Sequence, residues 1–271
     1  MTDGVLHDHV AFITGAGSGL GAAFAARLAA DGAAVIVNDI DADAATATAV
    51  AVGGETAVFD VCDSTAMDEA VDKIVARHGR LDIMINNAGI APVLSDERLA
   101  VVMGNALLRM EGRVAEMQPS AHLTSLTDGD WDRMIKVHLY GAFYGTRAAL
   151  RHMQAARRGS IVNISSVLGL QPSSGTAHYS AAKAGLIALT KAAAQEVAHL
   201  GIRVNAVCPG FIDTPLLAPL DEVLRAGITM RIPTGRMGTA DEIAAVVRFL
   251  AGPDSSYCNG DVFSASGGYV S

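Results

Sequence analysis

The chain is poor in cysteine, lysine and aromatic residues, and each shortage excludes a class of protein. Its three cysteines, Cys62, Cys208 and Cys258, lie far apart and show neither CxxC nor Cys/His spacing. This excludes a disulfide framework and a cysteine-based zinc site, so we expect no metal and a reducing compartment. Basic residues number 20 against 28 acidic ones, for a net charge of -8. We therefore expect no nucleic acid and no anionic membrane as a partner.

Long apolar runs are also missing. No stretch reaches the length of about 18 uncharged apolar residues that a membrane helix needs, and MTDGVLHDHV lacks the basic start and apolar core of a secretory signal. We expect a cytoplasmic protein. With 271 residues, of which 51% are hydrophobic, the chain can bury a full core. One domain over residues 1–271 is the prediction.

Strand-like and helical patterns alternate along the chain. Ser64 is the predicted cap of one helix, and Thr127 and Thr239 open capping boxes at two more. The predicted strands are short β-branched runs suited to burial on both faces, at 10–14, 33–39, 56–61, 81–86, 160–165, 202–207 and 261–265. Single helices between such strands require right-handed crossovers. The sequence therefore predicts an α/β fold with a doubly wound parallel sheet of the Rossmann type.

A glycine-rich loop, TGAGSGLG at residues 14–21, joins the first strand to the first helix. A diphosphate needs backbone N–H groups that point at it from a helix N-terminus, and glycines leave room for that approach. The loop residues that we predict to bind a dinucleotide are Gly15, Ser18, Gly19, Leu20 and Gly21. The alternative is a glycine-rich turn kept for tight packing.

Asp39 ends the second predicted strand, twenty residues beyond Gly19. A carboxylate at this place accepts hydrogen bonds from the adenosine ribose hydroxyls, whereas a 2′-phosphate would meet like charge. Neither Ser18 nor Ile40 supplies a compensating cation, so the sequence favours NAD over NADP. If Asp39 is an ordinary turn residue, this preference vanishes.

Other motifs follow the remaining strands in a fixed order. They are Asp60-Val61, Asn86-Asn87-Ala88-Gly89, Ser165-Ser166, the pair Tyr179 and Lys183 within HYSAAK, and Pro209-Gly210 with Thr214. Together they resemble the short-chain dehydrogenase/reductase family in its compact form. The resemblance covers the chain except for a helical insertion at about 93–126.

The resemblance implies which residues bind the cofactor. It assigns the adenine to Asp60 and Val61. It assigns other parts of the dinucleotide to residues after the fourth and sixth strands, namely Asn87, Ala88, Gly89, Pro209, Gly210, Ile212 and Thr214. An alternative for residues 86–89 is a turn that stabilises the centre of the sheet.

The resemblance also makes Tyr179 the general acid/base, with Lys183 lowering its pKa and holding the nicotinamide ribose, and Ser166 orienting the substrate oxygen. Residues i and i+4 of a helix are neighbours, and an ammonium about 5 Å from a phenolate lowers the phenol pKa from about 10 towards 8. The alternatives are a core tyrosine, a solvated lysine and a turn-capping serine. Ser165 fits the spacing to Tyr179 less well.

His138 stands where the family usually has asparagine. Histidine donates, accepts and shuttles protons, so His138 is a further catalytic candidate in a proton relay. The alternative is a histidine that fills space between helices.

The insertion carries an apolar stripe, made of Leu99, Val102, Met103, Ala106, Leu107, Met110, Val114 and Met117, with a cap at Ser95 or Asp96. It forms either a roof over the substrate pocket or a subunit contact.

We expect a small hydrophobic alcohol or ketone as substrate, of cyclic or steroid-like shape. Alternatives are a 3-hydroxyacyl thioester dehydrogenase or 3-oxoacyl reductase, a nucleotide-sugar epimerase and an NAD-sensing regulator. The resemblance also implies a homotetramer, because relatives associate through the helices that correspond to about 128–156 and 179–199.

Overall fold

The structure is a computed structural model that describes residues 4–91, 96–119, 122–217 and 222–270. Its centre is a seven-stranded sheet, all parallel, in the order β3-β2-β1-β4-β5-β6-β7. The strands are β1 (Val10–Ile13), β2 (Ala34–Asp39), β3 (Glu55–Val58), β4 (Ile83–Asn86), β5 (Gly159–Ile164), β6 (Ile202–Pro209) and β7 (Val262–Ala265). The predicted doubly wound fold is confirmed, and all seven predicted strands are present.

Helices cover both faces of this sheet. In the described ranges they are α1 (Gly19–Ala30), α2 (Ala42–Val52), α3 (Ser64–His78), α4 (Asp96–Met110), α5 (Asp128–Ile135), α6 (Gly141–Ala156), α7 (Val167–Leu170), α8 (Ala177–Val197), α9 (Glu222–Thr229) and α10 (Ala240–Ala251). Neighbouring strand residues point to opposite faces. Ile13 therefore packs with Phe24 of α1 in one core, and Phe12 packs with Met67 of α3 in the other.

Side-chain caps define several helix starts. The predicted cap of α3 at Ser64 is wrong: Asp63 caps the helix, because its carboxylate accepts from Thr65 N and Ala66 N. Aspartate caps a helix as well as serine does, so the sequence alone does not separate the two neighbours, and in the structure the N-cap is Asp63, one residue before Ser64. Thr127 accepts from Asp130 N at the start of α5, and Thr239 forms a full capping box at α10.

A π-helical turn, Lys136–Tyr140, joins α5 to α6 without a break. Such turns insert one extra residue into a helix and are frequent at functional sites. His138 lies inside this turn and is buried.

The insertion between β4 and α5 forms α4 and a short 3-10 turn at Val114–Glu116. Gly112, with φ +75°, follows the helix, so the predicted stripe does not continue as one helix to Met117. Asn105 and Gln118 exchange two hydrogen bonds, of 2.7 and 2.8 Å, which hold the return segment against α4. Leu107 and Met110 are 61% and 80% exposed. The predicted cap at Ser95 or Asp96 and the side chains of Leu99, Met103 and Ala106 lie outside the described residues.

No helix in the described part of the chain combines the length and apolarity that a bilayer crossing requires.

Candidate active site

Parallel strands end at one edge of the sheet, and that edge gathers the predicted site residues. Neighbours β1 and β4 lead to opposite halves of the sheet, so the order reverses between them. Open α/β sheets bind ligands in the crevice at such a reversal. Thr14 Oγ1 accepts from the backbone N of Asn87 at 3.0 Å and of Ala88 at 3.1 Å. Asn87 Nδ2 donates to the carbonyls of Thr14 and Gly15, at 3.0 and 2.9 Å. These bonds join the loops that follow the two strands.

The glycine loop is tightly packed where it meets Ala88. Gly15 has φ +60°, and a Cβ there would lie 2.6 Å from Ala88 Cα. A Cβ on Gly21 would lie 2.2 Å from Gly15 O. Tight packing is therefore one reason that positions 15 and 21 are occupied by glycine.

The N-terminus of α1 fits an anionic ligand. Gly19 has φ +54°, and the nearest atoms to a Cβ there are Thr214 Cβ and Pro215 Cδ, both at 3.9 Å. Ser18 precedes the helix without a side-chain capping bond. The first N–H groups of α1 thus keep room in front of them, as a diphosphate requires.

Asp39 leaves β2 beside this loop. Its Oδ2 accepts from Gly17 N at 2.9 Å, and its Oδ1 accepts from Asp41 N at 3.1 Å. A carboxylate has about four acceptor positions, so capacity remains for hydroxyl donors. The following residues, Ile40 to Ala44, include two aspartates and neither Lys nor Arg, and Ile40 is exposed. The position suits a neutral ribose better than a phosphate.

The loop after β3 holds the predicted adenine-binding residues. Asp60 Oδ1 accepts from Cys62 N at 2.9 Å. The Val61 side chain is buried, and a Cβ on Gly141 would lie 2.9 Å from its Cγ2. Val61 therefore packs against the start of α6.

Residues 209–214 approach from the other side of the crevice. Pro209 ends β6, Gly210 N donates to Ala265 O at 2.9 Å, and buried Ile212 forms a bridge with Gly238. This path brings Thr214 next to the glycine loop.

Ser166, Tyr179 and Lys183 meet at the end of β5. Ser166 is the N-cap of α7, and its Oγ accepts from Leu168 N at 3.1 Å. Tyr179 and Lys183 lie one turn apart near the start of α8, with Lys183 Nζ 5.7 Å from the centroid of the Tyr179 ring. Ser165 instead donates to the backbone O of Lys183 at 2.8 Å, a bond between β5 and α8.

Burial governs the ionisation of this pair. Lys183 is 4% exposed, its Nζ donates to Ile164 O at 2.6 Å, and desolvation lowers its pKa from 10.5 to about 8. Desolvation raises the pKa of the Tyr179 hydroxyl, while hydrogen bonding with Ser166 acts in the opposite direction. The expectation that Lys183 brings the tyrosine pKa below its usual value is wrong for the chain alone. The Lys183 ammonium donates to a backbone carbonyl, and desolvation of Tyr179 outweighs any stabilisation that this charge gives the phenolate.

His138 lies directly behind Tyr179. Its ring packs edge-on against the tyrosine ring, with centroids 5.1 Å apart at 81°. His138 Nε2 lies 3.1 Å from Ile90 N and 2.9 Å from Ile90 O. Burial and the charge of Lys183 place the pKa of His138 well below its usual value, so the imidazole is neutral.

Two features of the site have no clear signal in the sequence. Thr14 opens the glycine-rich loop, but nothing in its position alone indicates that it clamps Asn87 and Ala88. Behind the site, Asn86 Nδ2 donates to Asn163 Oδ1 at 2.8 Å, and Asn163 Nδ2 donates to Thr190 Oγ1 at 2.9 Å. These residues stand in runs that are typical of ordinary core strands and helices. Among the described residues, no three His, Cys, Asp or Glu side chains form a group that could hold a metal ion.

Comparisons with known proteins agree with this geometry. The family model for short chain dehydrogenase matches residues 9–224. The chain is 38% identical to 3-oxoacyl-(acyl-carrier-protein) reductase FabG of Thermotoga maritima, over 98% of this chain and 99% of the relative. It is 39% identical to cis-4-hydroxycyclohexanecarboxylate dehydrogenase of Sinomonas cyclohexanicum, over 97% of each chain. A crystal structure of levodione reductase superimposes with a TM-score of 0.82 at 34% identity, covering 97% of this chain and 98% of that one.

The family resemblance predicted from the motifs is thereby confirmed, as is an oxidoreductase as the class of enzyme. Members of this family on this fold bind NAD(P), and the glycine loop, the α1 N-terminus and Asp39 fit such a dinucleotide. The chain belongs to the short-chain dehydrogenase family of oxidoreductases.

Proposed function

We propose that the chain is an NAD-dependent oxidoreductase that interconverts a hydrophobic secondary alcohol and its ketone, with Tyr179 as the general acid/base. The observation that carries the proposal is the cluster of Ser166, Tyr179 and Lys183 at the carboxyl edge of the sheet, next to a crevice that fits a dinucleotide. Both hydroxyls can reach one substrate oxygen from this place.

Bound nicotinamide supplies the hydride acceptor or donor, which this chain's own side chains do not provide. Tyr179 O–H gives its proton to the ketone oxygen in reduction and takes it back in oxidation. Ser166 donates a hydrogen bond that orients the same oxygen. Lys183, whose Nζ is held on Ile164 O, would bind the nicotinamide ribose, and its charge favours the phenolate without outweighing the effect of burial. A cation beside Tyr179 must lower the pKa of the phenol before exchange near neutral pH is efficient, because burial alone raises it.

The remaining cofactor assignments follow the crevice. The α1 N-terminus, at Gly15 and Ser18 to Gly21, would hold the diphosphate. Asp60 and Val61 would hold the adenine and Asn87 to Gly89 the central part of the dinucleotide. Pro209, Gly210, Ile212 and Thr214 would cover the nicotinamide.

NAD is favoured over NADP because Asp39 faces the loop and no Lys or Arg follows it as far as Ala44. The test is kcat/KM with each cofactor. We expect NAD to be preferred by at least about tenfold, since a phosphate beside an unpaired carboxylate is disfavoured by more than about 1.4 kcal/mol. The variant Asp39→Ser with Ile40→Arg should reverse the preference. A wild-type preference for NADP would refute the assignment.

A ring-shaped alcohol is the leading substrate class. The site contributes the hydroxyls of Ser166 and Tyr179, and a relative at 39% identity is named for cis-4-hydroxycyclohexanecarboxylate, a secondary alcohol on a six-membered ring. The second candidate is a 3-oxoacyl reductase, which the name of the Thermotoga maritima relative favours. Absorbance of reduced nicotinamide with a panel of cyclic alcohols and of 3-hydroxyacyl thioesters separates the two.

A non-enzymatic NAD sensor would need neither Tyr179 nor Lys183. Tight NAD binding without turnover of any alcohol or ketone would favour that alternative.

We also propose that the protein is a cytoplasmic homotetramer. Exposed Tyr140 and Phe143, at the start of α6, offer aromatic surface of the kind that protein interfaces bury. Sedimentation velocity measures the subunit number.

A further inference from the structure

His138 is buried at the centre of the candidate site, and the proposed reaction assigns it no step. The side chain is 3% exposed and lies in the π-helical turn Lys136–Tyr140. Its ring contacts two separate parts of the site, the backbone after β4 and the ring of Tyr179. A buried histidine that joins two such parts calls for a physical account.

The contact with the backbone is a hydrogen bond to Ile90. Nε2 lies within hydrogen-bonding distance of both Ile90 N, at 3.1 Å, and Ile90 O, at 2.9 Å. A nitrogen of a neutral imidazole either accepts or donates, so one of the two bonds forms in each tautomer. In both tautomers the ring holds the same residue, directly beyond Gly89.

The contact with Tyr179 is edge-to-face, with ring centroids 5.1 Å apart at 81°. On its other side the imidazole closes on Gly89, where a Cβ would lie 2.6 Å from His138 Cε1. The ring therefore lies between the tyrosine ring and the Gly89–Ile90 backbone, close to both. Gly89 does not adopt a left-handed backbone conformation, so the imidazole is the reason that this position cannot carry a side chain.

The imidazole is uncharged and has one nitrogen without a partner. Burial, Lys183 and His178 all lower its pKa, and the bond to Ile90 only partly offsets them. Its Nδ1 is buried and has no hydrogen-bond partner among the described residues. Lys183 is not such a partner, because its Nζ is bound to Ile164 O. The geometry favours a fixed spacer over a proton carrier.

We propose that His138 is a positioning residue: a neutral wedge that sets the distance between the Tyr179 ring and the Gly89–Ile90 backbone, and so aligns the phenol with a ligand bound in the crevice. The proposal rests on the proposed function for its kinetic consequence. It replaces the relay suggested by the family comparison with a steric and hydrogen-bonding role.

A double-mutant cycle tests the wedge directly. Gly89→Ala places a methyl on the imidazole, so the variant should lose about 10- to 100-fold in kcat/KM, as misplacement by about 1 Å does. In the His138→Ala background the methyl no longer meets the imidazole, so the same change should cost at least about fivefold less than in the wild-type background, and the remaining cost measures the contact of Gly89 with the cofactor. Equal effects of Gly89→Ala in both backgrounds would overturn the proposal.

Gly104→Ala is the matched control. A Cβ at Gly104 would meet no atom of the described residues within 4 Å, and its backbone is not left-handed, so the variant should behave as wild type in both backgrounds.

The pH profile of kcat distinguishes a spacer from a relay. His138→Leu should lower kcat about 10- to 100-fold at every pH while the midpoint of the profile stays in place. His138→Gln should recover most of that loss, because its amide can again hold Ile90. A shifted midpoint in His138→Leu would show that the imidazole takes part in proton transfer and would contradict the proposal.

The double-mutant cycle still tests the positioning role of His138 if the proposed function is wrong. Wild-type protein without turnover on any alcohol or ketone would refute the reaction but not the wedge. Thermal unfolding then replaces kcat/KM. Gly89→Ala should lower Tm in the wild-type background and leave it unchanged in His138→Ala, and equal shifts would refute the wedge alone.

Discussion

Lys183 places a charge in the interior of the molecule, and its energetic consequence depends on pH. The folded-state pKa is about 8 against 10.5 for the free side chain, so folding disfavours the protonated form. The unfolded chain binds more protons between these values, and stability therefore rises as pH increases from about 8 to 10.5. Below pH 8 the full penalty is present, at about 3 kcal/mol.

Replacing this amine with an apolar side chain of similar length should stabilise the fold and abolish its chemistry. Lys183→Met removes the desolvation penalty but also the bond to Ile164 O, which is worth about 1 kcal/mol. We expect a gain of about 2 kcal/mol in the free energy of unfolding at pH 7, shrinking as pH approaches 10. Urea unfolding at pH 7 and 9.5 measures it. Lys191→Met, on the exposed side of the same helix, is the control and should change stability little. A Lys183→Met variant less stable than wild type at pH 7 would contradict the penalty.

That Ser166, Tyr179 and Lys183 lie together could be predicted from the sequence, but their ionisation could not. Tyr179, Lys183 and Ser166 stand out because spacing and strand ends fix their neighbourhood. The direction of the Tyr179 pKa depends on how much water the fold removes and on which acceptor Lys183 Nζ finds, and i,i+4 spacing specifies neither.

At the scale of elements, a buried polar chain ties the central strands to helices on one face. Asn86 of β4 donates to Asn163 of β5 and to Thr146 of α6, and Asn163 donates to Thr190 of α8. Asn163 is fully buried. A chain of this kind stabilises only while each member has its partner.

Asn163→Leu should therefore destabilise the fold by about 2 to 4 kcal/mol, because the Asn86 amide loses an acceptor and Thr190 loses a donor. Thr190→Val removes only the last member and should cost about 1 kcal/mol. Urea denaturation with an unchanged m-value checks both. An Asn163→Leu variant as stable as wild type would show that the amide chain contributes nothing.

Element order and type followed from the sequence more closely than element ends. The seven strands are recognisable because short β-branched runs between helices fit few structures other than a buried strand. β3 ends at Val58 rather than 61, since it pairs only with β2 at the edge of the sheet, where no second neighbour extends it. The π-helical turn Lys136–Tyr140 leaves no mark in the apolar pattern, because one extra residue in a long helix is absorbed by packing.

At the scale of the whole molecule, the insertion between β4 and α5 stands apart, because its described residues contribute no strand to the central sheet. Its return segment reaches the start of α8. A Cβ on Gly175, just before that helix, would lie 3.2 Å from His122 Nε2. Leu107 and Met110 on α4 remain exposed. A substrate roof and a subunit contact both account for such a surface, and the approach of His122 to Gly175 favours the roof.

If α4 is a roof, Leu107→Ser with Met110→Ser should raise KM for a hydrophobic alcohol about tenfold, because less apolar surface covers the substrate. NAD affinity and subunit number should stay unchanged. Arg109→Ser, an exposed change on the same helix, is the control. Dissociation of the oligomer with an unaltered KM would identify α4 as a subunit contact instead.

The central claim is that the Tyr179 hydroxyl moves the proton in an oxidoreduction at this site. Its most direct test is the rate at which Tyr179→Phe reduces NAD with a cyclic secondary alcohol, read from the absorbance of reduced nicotinamide, with Tyr140→Phe as the matched control. We expect kcat to fall by about 10²- to 10⁴-fold in Tyr179→Phe, NAD binding to stay within about twofold, and Tyr140→Phe to behave as wild type. A Tyr179→Phe enzyme that turns over at the wild-type rate would contradict it.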